Sequence, residues 1–283
     1  MKIKLSIFAL SVLFALNSCK KTAKTIDKDV SVATDNSLGD AIYNDVQNIS
    51  DQAAKGQLTF YMSISGLDEK EEVKNLEANA KISCATITHD SISNPKTLTI
   101  DFGNTNCLCN DGKYRKGQIN VSYNGKYRDP GSVHSISFTN YFVNDNQVLG
   151  SKTVTNNGVN GNGNLTFSIV VDGTIKKANN GGSIIWKSNR TREWLSGSNT
   201  STWYDDVYSI TGNGSGMSAK GVSYTTKITT PLRRALNCHW FDSGVIEVNP
   251  ANLPVRVIDY GSGSCDNNVN VTINGVTYPI TIN

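Results

Sequence analysis

Apolar and polar residues alternate with a period of two along most of the chain. Such runs begin at Ile119, Leu165, Val269 and Val276. Alternation with one apolar face is typical of antiparallel strands that pack on one side only. From residue 82 onward the pattern supports about twelve strands with short turns. The sequence therefore predicts a mainly β fold, an antiparallel meander that forms a sandwich or a strongly curved sheet.

Two Asn-Gly pairs lie between alternating runs, at Asn124-Gly125 and Asn274-Gly275. Both residue types accept a positive φ, which the two central positions of a type I′ turn require. Each pair therefore predicts a two-residue hairpin.

One segment near the N-terminus has a helical period instead. Apolar residues at spacings of three and four predict a helix over residues 36–56: Leu38, Ile42, Val46, Ile49 and Ala53. Asp35, Asn36 or Ser37 is the expected N-cap, and Gly56 suits the end of the helix. The charged segment 67–80 is a second helical candidate, with a solvated excursion between strands as the alternative.

The first 18 residues have the order of a bacterial lipoprotein signal peptide. Two lysines precede an apolar stretch that is too short to span a bilayer, and Leu16-Asn17-Ser18-Cys19 resembles a lipobox. We expect Cys19 to carry the lipid, residues 19–35 to form a flexible linker, and residues 36–283 to fold as one domain on this tether. The expected location is the outer membrane, on its periplasmic face because the residues after Cys19 are basic rather than acidic.

Two segments of the chain repeat the same order of features. Each has a Cys, an Asn-Pro pair, Asp-aromatic-Gly, a second Cys, an alternating strand and an Asn-Gly turn. The first unit starts at about residue 82 and the second at about residue 236, and the first has eight extra residues after its second Cys. We interpret this as an internal duplication of a supersecondary unit.

The duplication predicts the disulfide pairing. It pairs Cys84 with Cys107 and Cys238 with Cys265, in a compartment that permits oxidation. Cys109 is then left as a free thiol that is able to exchange with Cys107.

Most classes of catalytic chemistry find no motif here. Asp101-Phe102-Gly103 lacks the other kinase loops, and no Gly-x-Ser-x-Gly or triad motif is present. The cysteines and the three scattered histidines lack zinc-site spacing, so we predict no metal, no cofactor and no catalytic residue. Asp205-Asp206 is the best carboxylate candidate for a hydrolase, which we keep as one alternative. A net charge of +3 without a basic stripe gives no indication of nucleic-acid binding.

Aromatic residues concentrate between residues 186 and 208. Trp186, Trp194, Trp203 and Tyr204 are candidates for a ligand platform that stacks on a sugar or peptide, with core packing as the favoured alternative.

Several segments resemble a family of uncharacterised outer-membrane lipoproteins of the Bacteroidetes: the lipobox at Cys19, "DNSLGDAIYNDVQNISDQAA", "IDFGNTNC", "KGVSYTTKITTPL" and "IDYGSGSC". The resemblance implies a lineage and a location but no activity. Our leading hypothesis is a non-catalytic envelope lipoprotein, a β scaffold that binds a protein, glycan or lipid partner. The rival hypothesis is a carrier that holds a lipid or other apolar ligand in a cavity of the curved sheet. The oligomeric state is not indicated.

Overall fold

The computed structural model describes residues 27–54, 84–109, 111–200, 202 and 204–282. Within these ranges the chain forms one long helix followed by fourteen strands. Helix α1 covers Ser31–Ala54, and one turn of 3-10 helix lies at Ala178–Asn180. The strands are β1 Thr86–Asp90, β2 Lys96–Asp101, β3 Cys107–Leu108, β4 Tyr114–Tyr123, β5 Val133–Val143, β6 Asn146–Val159, β7 Leu165–Lys176, β8 Ser183–Ser196, β9 Val207–Met217, β10 Ser223–Ala235, β11 Ser243–Pro250, β12 Arg256–Ser262, β13 Asn268–Ile273 and β14 Val276–Thr281.

The fourteen strands form one antiparallel sheet with meander topology. Each strand pairs with its neighbours in chain order, except that the two-residue β3 pairs with β4 beside β2. Strands β1 and β14 are the two edges, and in the described ranges they do not pair with each other. The prediction of a mainly β antiparallel meander is confirmed, and the strands build one sheet rather than the two of a sandwich.

The sheet curls around α1. The helix contacts β2, β4, β8 and β11, which lie far apart in the strand order. A helix on a flat sheet keeps one side in water, whereas 17 of the 24 residues of α1 are buried. The core therefore surrounds the helix, with one cluster near Tyr43, Trp186 and Trp194 and a second near Ile246 and Val271.

Helix α1 begins at Ser31, five residues before the predicted start, so residues 31–35 are helical rather than part of a linker. The Asp29 carboxylate accepts the backbone N–H of Ser31 at 2.8 Å and so caps the first turn. Asp35, an expected cap, instead accepts a hydrogen bond from Lys177 and one from the backbone N–H of Ala219. The second helical candidate, 67–80, lies outside the described residues. Nowhere in the described ranges is a helix long and apolar enough to cross a membrane.

Charged residues of α1 are paired with residues of the surrounding strands. Arg190 of β8 binds Asp40, with Nη2 3.0 Å from Oδ2. Arg115 of β4 binds Asp45 at 2.7 Å. Buried charges are tolerated only when they are paired and hydrogen-bonded. These pairs explain how a helix with many polar residues is enclosed on several sides.

The helix and the sheet approach each other most closely at two glycines. A Cβ atom on Gly39 of α1 would lie 2.5 Å from Cδ1 of Trp186. A Cβ atom on Gly173 of β7 would lie 2.0 Å from the hydroxyl oxygen of Tyr43. Only glycine at these positions leaves room for the two rings, which stack on each other with centroids 5.4 Å apart.

We expect Gly39→Ala to destabilise the protein, although alanine is normally the better helix former. The added methyl group collides with Trp186, and overpacking of this kind costs about 1–3 kcal/mol. Urea denaturation measures the change. Gly161→Ala is the control, because a Cβ atom there meets nothing within 4 Å. A Gly39→Ala protein as stable as the wild type would contradict the close approach.

Both predicted disulfides are confirmed. Cys84 is bonded to Cys107 and Cys238 to Cys265, each with a Cα–Cα distance of 5.7 Å. By the chain-entropy relation each bridge contributes about 3.5 kcal/mol. Cys109 is a free, buried thiol, and burial raises its pKa. Because the thiolate is the reactive form, this environment disfavours exchange with the neighbouring bridge.

The two copies of the repeated unit share a local turn. Asp101 accepts the backbone N–H of Gly103 at 2.8 Å, and Asp259 accepts that of Gly261 at 2.8 Å. Both glycines have positive φ, at 76° and 92°, and the aromatic residue before each glycine is buried. Asp-aromatic-Gly is therefore a strand-ending turn in both copies, which accounts for the kinase-like tripeptide without kinase chemistry.

One of the two Asn-Gly pairs forms the predicted two-residue hairpin loop, and the other does not. Asn274 and Gly275 both have positive φ and join β13 to β14 as a two-residue loop, as predicted. At Asn124-Gly125 the prediction is wrong, because nine residues separate β4 from β5. The chain instead reverses at Asp129, whose carbonyl oxygen accepts the N–H of Ser132. This longer connection, residues 124–132, carries an aromatic ring into the core.

Candidate functional site

A cavity of about 260 Å³ lies at the C-terminal end of α1. Gln47, Ser50 and Asp51 of the helix form one side. Strands β2, β4 and β5 form the opposite side, and residues 125–128 of the longer connection lie at its mouth. The end of β8, the start of β9 and Leu236 complete the wall.

The walls of this cavity are mainly apolar and aromatic. Leu98, Val121, Ile136, Leu236 and Trp194 are all buried residues that line it. Further rings come from Tyr123, Tyr127, His134 and Tyr208. A concave apolar pocket with a few polar groups is the usual form of a small-molecule site.

Four polar atoms of lining residues have no hydrogen-bond partner among the described residues. They are Gln47 Oε1, Tyr127 Oη, His134 Nε2 and Trp194 Nε1, and all four are shielded from solvent. Leaving a buried donor or acceptor unpaired costs about 1–3 kcal/mol, so native proteins rarely do it without a reason. Here the unpaired atoms converge on one cavity, which gives a ligand four places to form hydrogen bonds.

The two histidines of the cavity lie beside its tyrosines. His134 stacks on Tyr123 with centroids 5.3 Å apart and meets Tyr127 edge-on at 5.2 Å. Burial lowers the pKa of His134, so its ring is neutral at pH 7. His89 is hydrogen-bonded through Nε2 to the Tyr123 hydroxyl. These contacts fix the ring orientations on this side of the cavity.

The predicted carboxylate pair does not face one cleft. Asp205 is exposed and accepts a hydrogen bond from the Thr200 hydroxyl at 3.0 Å. Asp206 is buried, lines the cavity and accepts a hydrogen bond from the Tyr208 hydroxyl at 3.3 Å. The geometry gives the hydrolase alternative no paired acid and base at Asp205.

The predicted aromatic platform is not at the surface. Trp186 and Trp194 are only 3% and 2% exposed, because both point into the space around α1. Trp186 donates its indole N–H to Asn36 at 3.1 Å and is a core residue, whereas Trp194 lines the cavity. Tyr204 is half-buried beside the core, and Trp203 lies outside the described residues. Of the three described residues, Trp194 alone lines the candidate site.

Other predicted positions lie apart from the cavity. Cys19 is outside the described residues. Cys107 forms its predicted disulfide with Cys84 and does not line the cavity. Over the described ranges no three His, Cys, Asp or Glu side chains are grouped to hold a metal ion.

Sequence reasoning missed most of the cavity. Gln47 and Asp51 lie on the polar stripe of α1, which a sequence pattern assigns to solvent. Tyr127 and Arg128 lie in the connection between β4 and β5, for which the Asn-Gly pair predicts a two-residue turn. The available signal was the Tyr-Arg pair just before Asp129-Pro130-Gly131, since an aromatic residue next to a turn often packs inward.

Comparison with protein-family models, with curated proteins and with solved structures finds no match to this chain.

Proposed function

We propose that this chain is a non-catalytic binding protein of the cell envelope, which holds a small, mainly apolar molecule in the cavity at the end of α1. The observation that carries the proposal is the cavity itself, which combines apolar walls with four unpaired buried polar atoms. Apolar walls supply affinity through burial, and the polar atoms fix orientation and supply selectivity.

The volume of the cavity limits the ligand. A water molecule occupies about 30 Å³, so about 260 Å³ holds a molecule of roughly ten non-hydrogen atoms. A compact aromatic or short alkyl compound fits this space, whereas a full phospholipid does not. The proposal therefore favours a carrier or sensor of small amphipathic molecules over a shuttle for whole lipids.

Of the partner classes considered, a surface glycan receives least support. The stacking platform that suggested it depends on Trp186 and Trp194, and both rings are buried. An envelope protein remains compatible with the scaffold, but no feature of the described surface favours it over the cavity.

We expect filling the cavity to abolish ligand binding. Val121 lines the cavity and is buried, so Val121→Phe places a ring in the ligand space. Octanoate and 3-phenylpropanoate, with the corresponding amides and amines, serve as probes in thermal denaturation. At one hundred times the Kd, a bound probe raises Tm by roughly 5–10 °C in the wild type and not in Val121→Phe.

Val170→Phe is the matched control. Val170 lies on the outer face of β7 and is 48% exposed, so the same substitution leaves the cavity open. If no probe raises the Tm of the wild type, or if Val121→Phe responds equally, the binding proposal is wrong.

The envelope location depends on Cys19 and the signal-like segment before it. We expect cells that express the full chain to incorporate labelled palmitate into the protein and to hold it in the outer-membrane fraction. Cys19→Ala removes the thioether site and should release the protein from the membrane. A Cys19→Ala protein that still carries the label would contradict lipidation at this residue.

A further inference from the structure

Two arginines lie over aromatic rings of the cavity wall. The guanidinium carbon of Arg128 is 4.8 Å from the ring centroid of Trp194. That of Arg192 is 4.5 Å from Tyr208 and 5.6 Å from Tyr127. Cations bind to ring faces at distances of this order. A cationic ligand would therefore meet a positive charge already placed against each of these rings.

Arg192 is a buried arginine, and two of its guanidinium nitrogens are unpaired within the described ranges. The side chain is 5% exposed, and its Nε and Nη2 atoms have no hydrogen-bond partner among the described residues. A buried charge acts through a medium of low dielectric constant and is screened far less than a surface charge. Since Arg192 contacts the rings of two lining tyrosines, its positive potential extends into the cavity.

The cavity is also lined by two cations and two carboxylates, which differ in position and in hydrogen bonding. Lys126 and Arg128 are both exposed residues at the mouth. The two lining carboxylates already accept hydrogen bonds, Asp51 from the Gln47 amide at 2.8 Å and Asp206 from a tyrosine hydroxyl. The exposed cations at the mouth are therefore the charges that an entering anion meets first, and the acids inside already have protein donors.

Two of the four unpaired polar atoms of the wall suit an acceptor, whereas Gln47 Oε1 is itself an acceptor. The indole N–H of Trp194 donates only, and the Tyr127 hydroxyl is able to donate. A carboxylate accepts only, and a hydrogen bond to an ionised acceptor is about twice as strong as a neutral one.

Building on the proposed binding function, we propose that the cavity selects a small organic anion, a carboxylate with an apolar body of roughly ten non-hydrogen atoms in all. The body packs against Leu98, Val121 and Ile136. The carboxylate lies toward Lys126 and Arg128, near the indole N–H of Trp194.

Isothermal titration of the full chain with matched probes tests this selection. Octanoate is compared with octanamide and octylammonium, and 3-phenylpropanoate with its amide and amine. The carboxylate of each set is expected to bind at least about tenfold more tightly than the amide, and the ammonium most weakly. Raising the ionic strength from 0.05 to 0.5 M should reduce this preference, because the mouth charges are exposed.

Charge-removal variants locate the source of the preference. Lys126→Met and Arg128→Met are each expected to weaken carboxylate binding by about two- to fivefold more than amide binding. Lys227→Met is the control, since Lys227 is exposed on β10 and does not line the cavity.

The outcomes separate the two proposals. Equal binding of carboxylate and amide, or a preference for the ammonium, overturns the anion selectivity and leaves the binding function intact. If both Lys126→Met and Arg128→Met keep the full preference for the carboxylate over the amide, the anion selectivity is also overturned. Absence of binding by every probe overturns the binding function itself.

Discussion

Replacement of Arg115 by methionine is expected to lower the free energy of unfolding by about 3–5 kcal/mol, because it leaves the buried carboxylates of Asp45 and Asp111 with only the half-buried Lys113 as a cation. Arg115 is fully buried. Its guanidinium group donates to Asp45 at 2.7 Å and to both oxygens of Asp111 at 2.7 Å. Although burial alone would raise it, the charges of Arg115 and Lys113 hold the pKa of Asp45 well below its usual range.

This arrangement also gives a role to the extra residues of the first repeat. The insertion forms a tight turn in which the Gly112 N–H donates to the carbonyl of Cys109. The turn brings Asp111 to Arg115, and Arg115 binds Asp45 of α1. The second repeat lacks this insertion, so the ion cluster ties the helix to the first repeat only.

Urea denaturation at pH 7 measures the cost, with Lys187→Met as the control. Lys187 forms an exposed pair with Asp172, and such pairs contribute about 0–1 kcal/mol. The effect should also depend on pH. A depressed carboxylate pKa stabilises the native state above the unfolded value, near 4, and this contribution disappears as the pH falls below it. A loss in Arg115→Met no larger than that of the control would show that the cluster contributes little.

Replacement of Lys152 by methionine is expected to stabilise the protein. Lys152 of β6 is buried beside α1 and donates from Nζ to the backbone carbonyl of Tyr43 at 2.8 Å. Burial lowers its pKa from 10.5 to about 7. That difference corresponds to at most about 5 kcal/mol, and methionine fills similar space without the charge.

The sign of this effect depends on pH. Between about pH 7 and 10.5 the unfolded lysine is protonated and the native one is not, so the free energy of unfolding rises with pH. Below pH 7 the cost of the buried lysine is at its largest. The advantage of Lys152→Met should therefore be greatest at pH 6–7 and should shrink as the pH approaches 10. Exposed Lys227→Met is the control, and an advantage that does not change with pH would contradict the lowered pKa.

Features encoded within one segment were predictable from the sequence. The alternating strands, both disulfides and the loop at Asn274-Gly275 all follow from local patterns or from comparing the two repeats. The failure at Asn124-Gly125 has a non-local cause. Tyr127 stacks on Phe167 of β7 with centroids 4.9 Å apart, and this contact accompanies a longer connection that local turn propensity does not reveal.

The cavity was less predictable because it requires segments distant in sequence to meet. Gln47 and Trp194 line the same space, yet nearly 150 positions separate them. The polar stripe of α1 looks like a solvent-facing surface until the sheet supplies Arg115 and Arg190 as partners. A pattern of hydrophobic positions identifies strands, but it does not show that a sheet curls far enough to enclose a helix.

The length of α1 sets the distance between the proposed tether and the proposed ligand. Its 24 residues rise about 36 Å, with the chain from Cys19 entering at one end and the cavity at the other. If the lipid is attached as proposed, the twelve-residue step from Cys19 to Ser31 reaches at most about 43 Å, which limits how far the near end of the helix lies from the bilayer. The cavity then lies at the end of the helix away from the tether, where a water-soluble anion would arrive by diffusion.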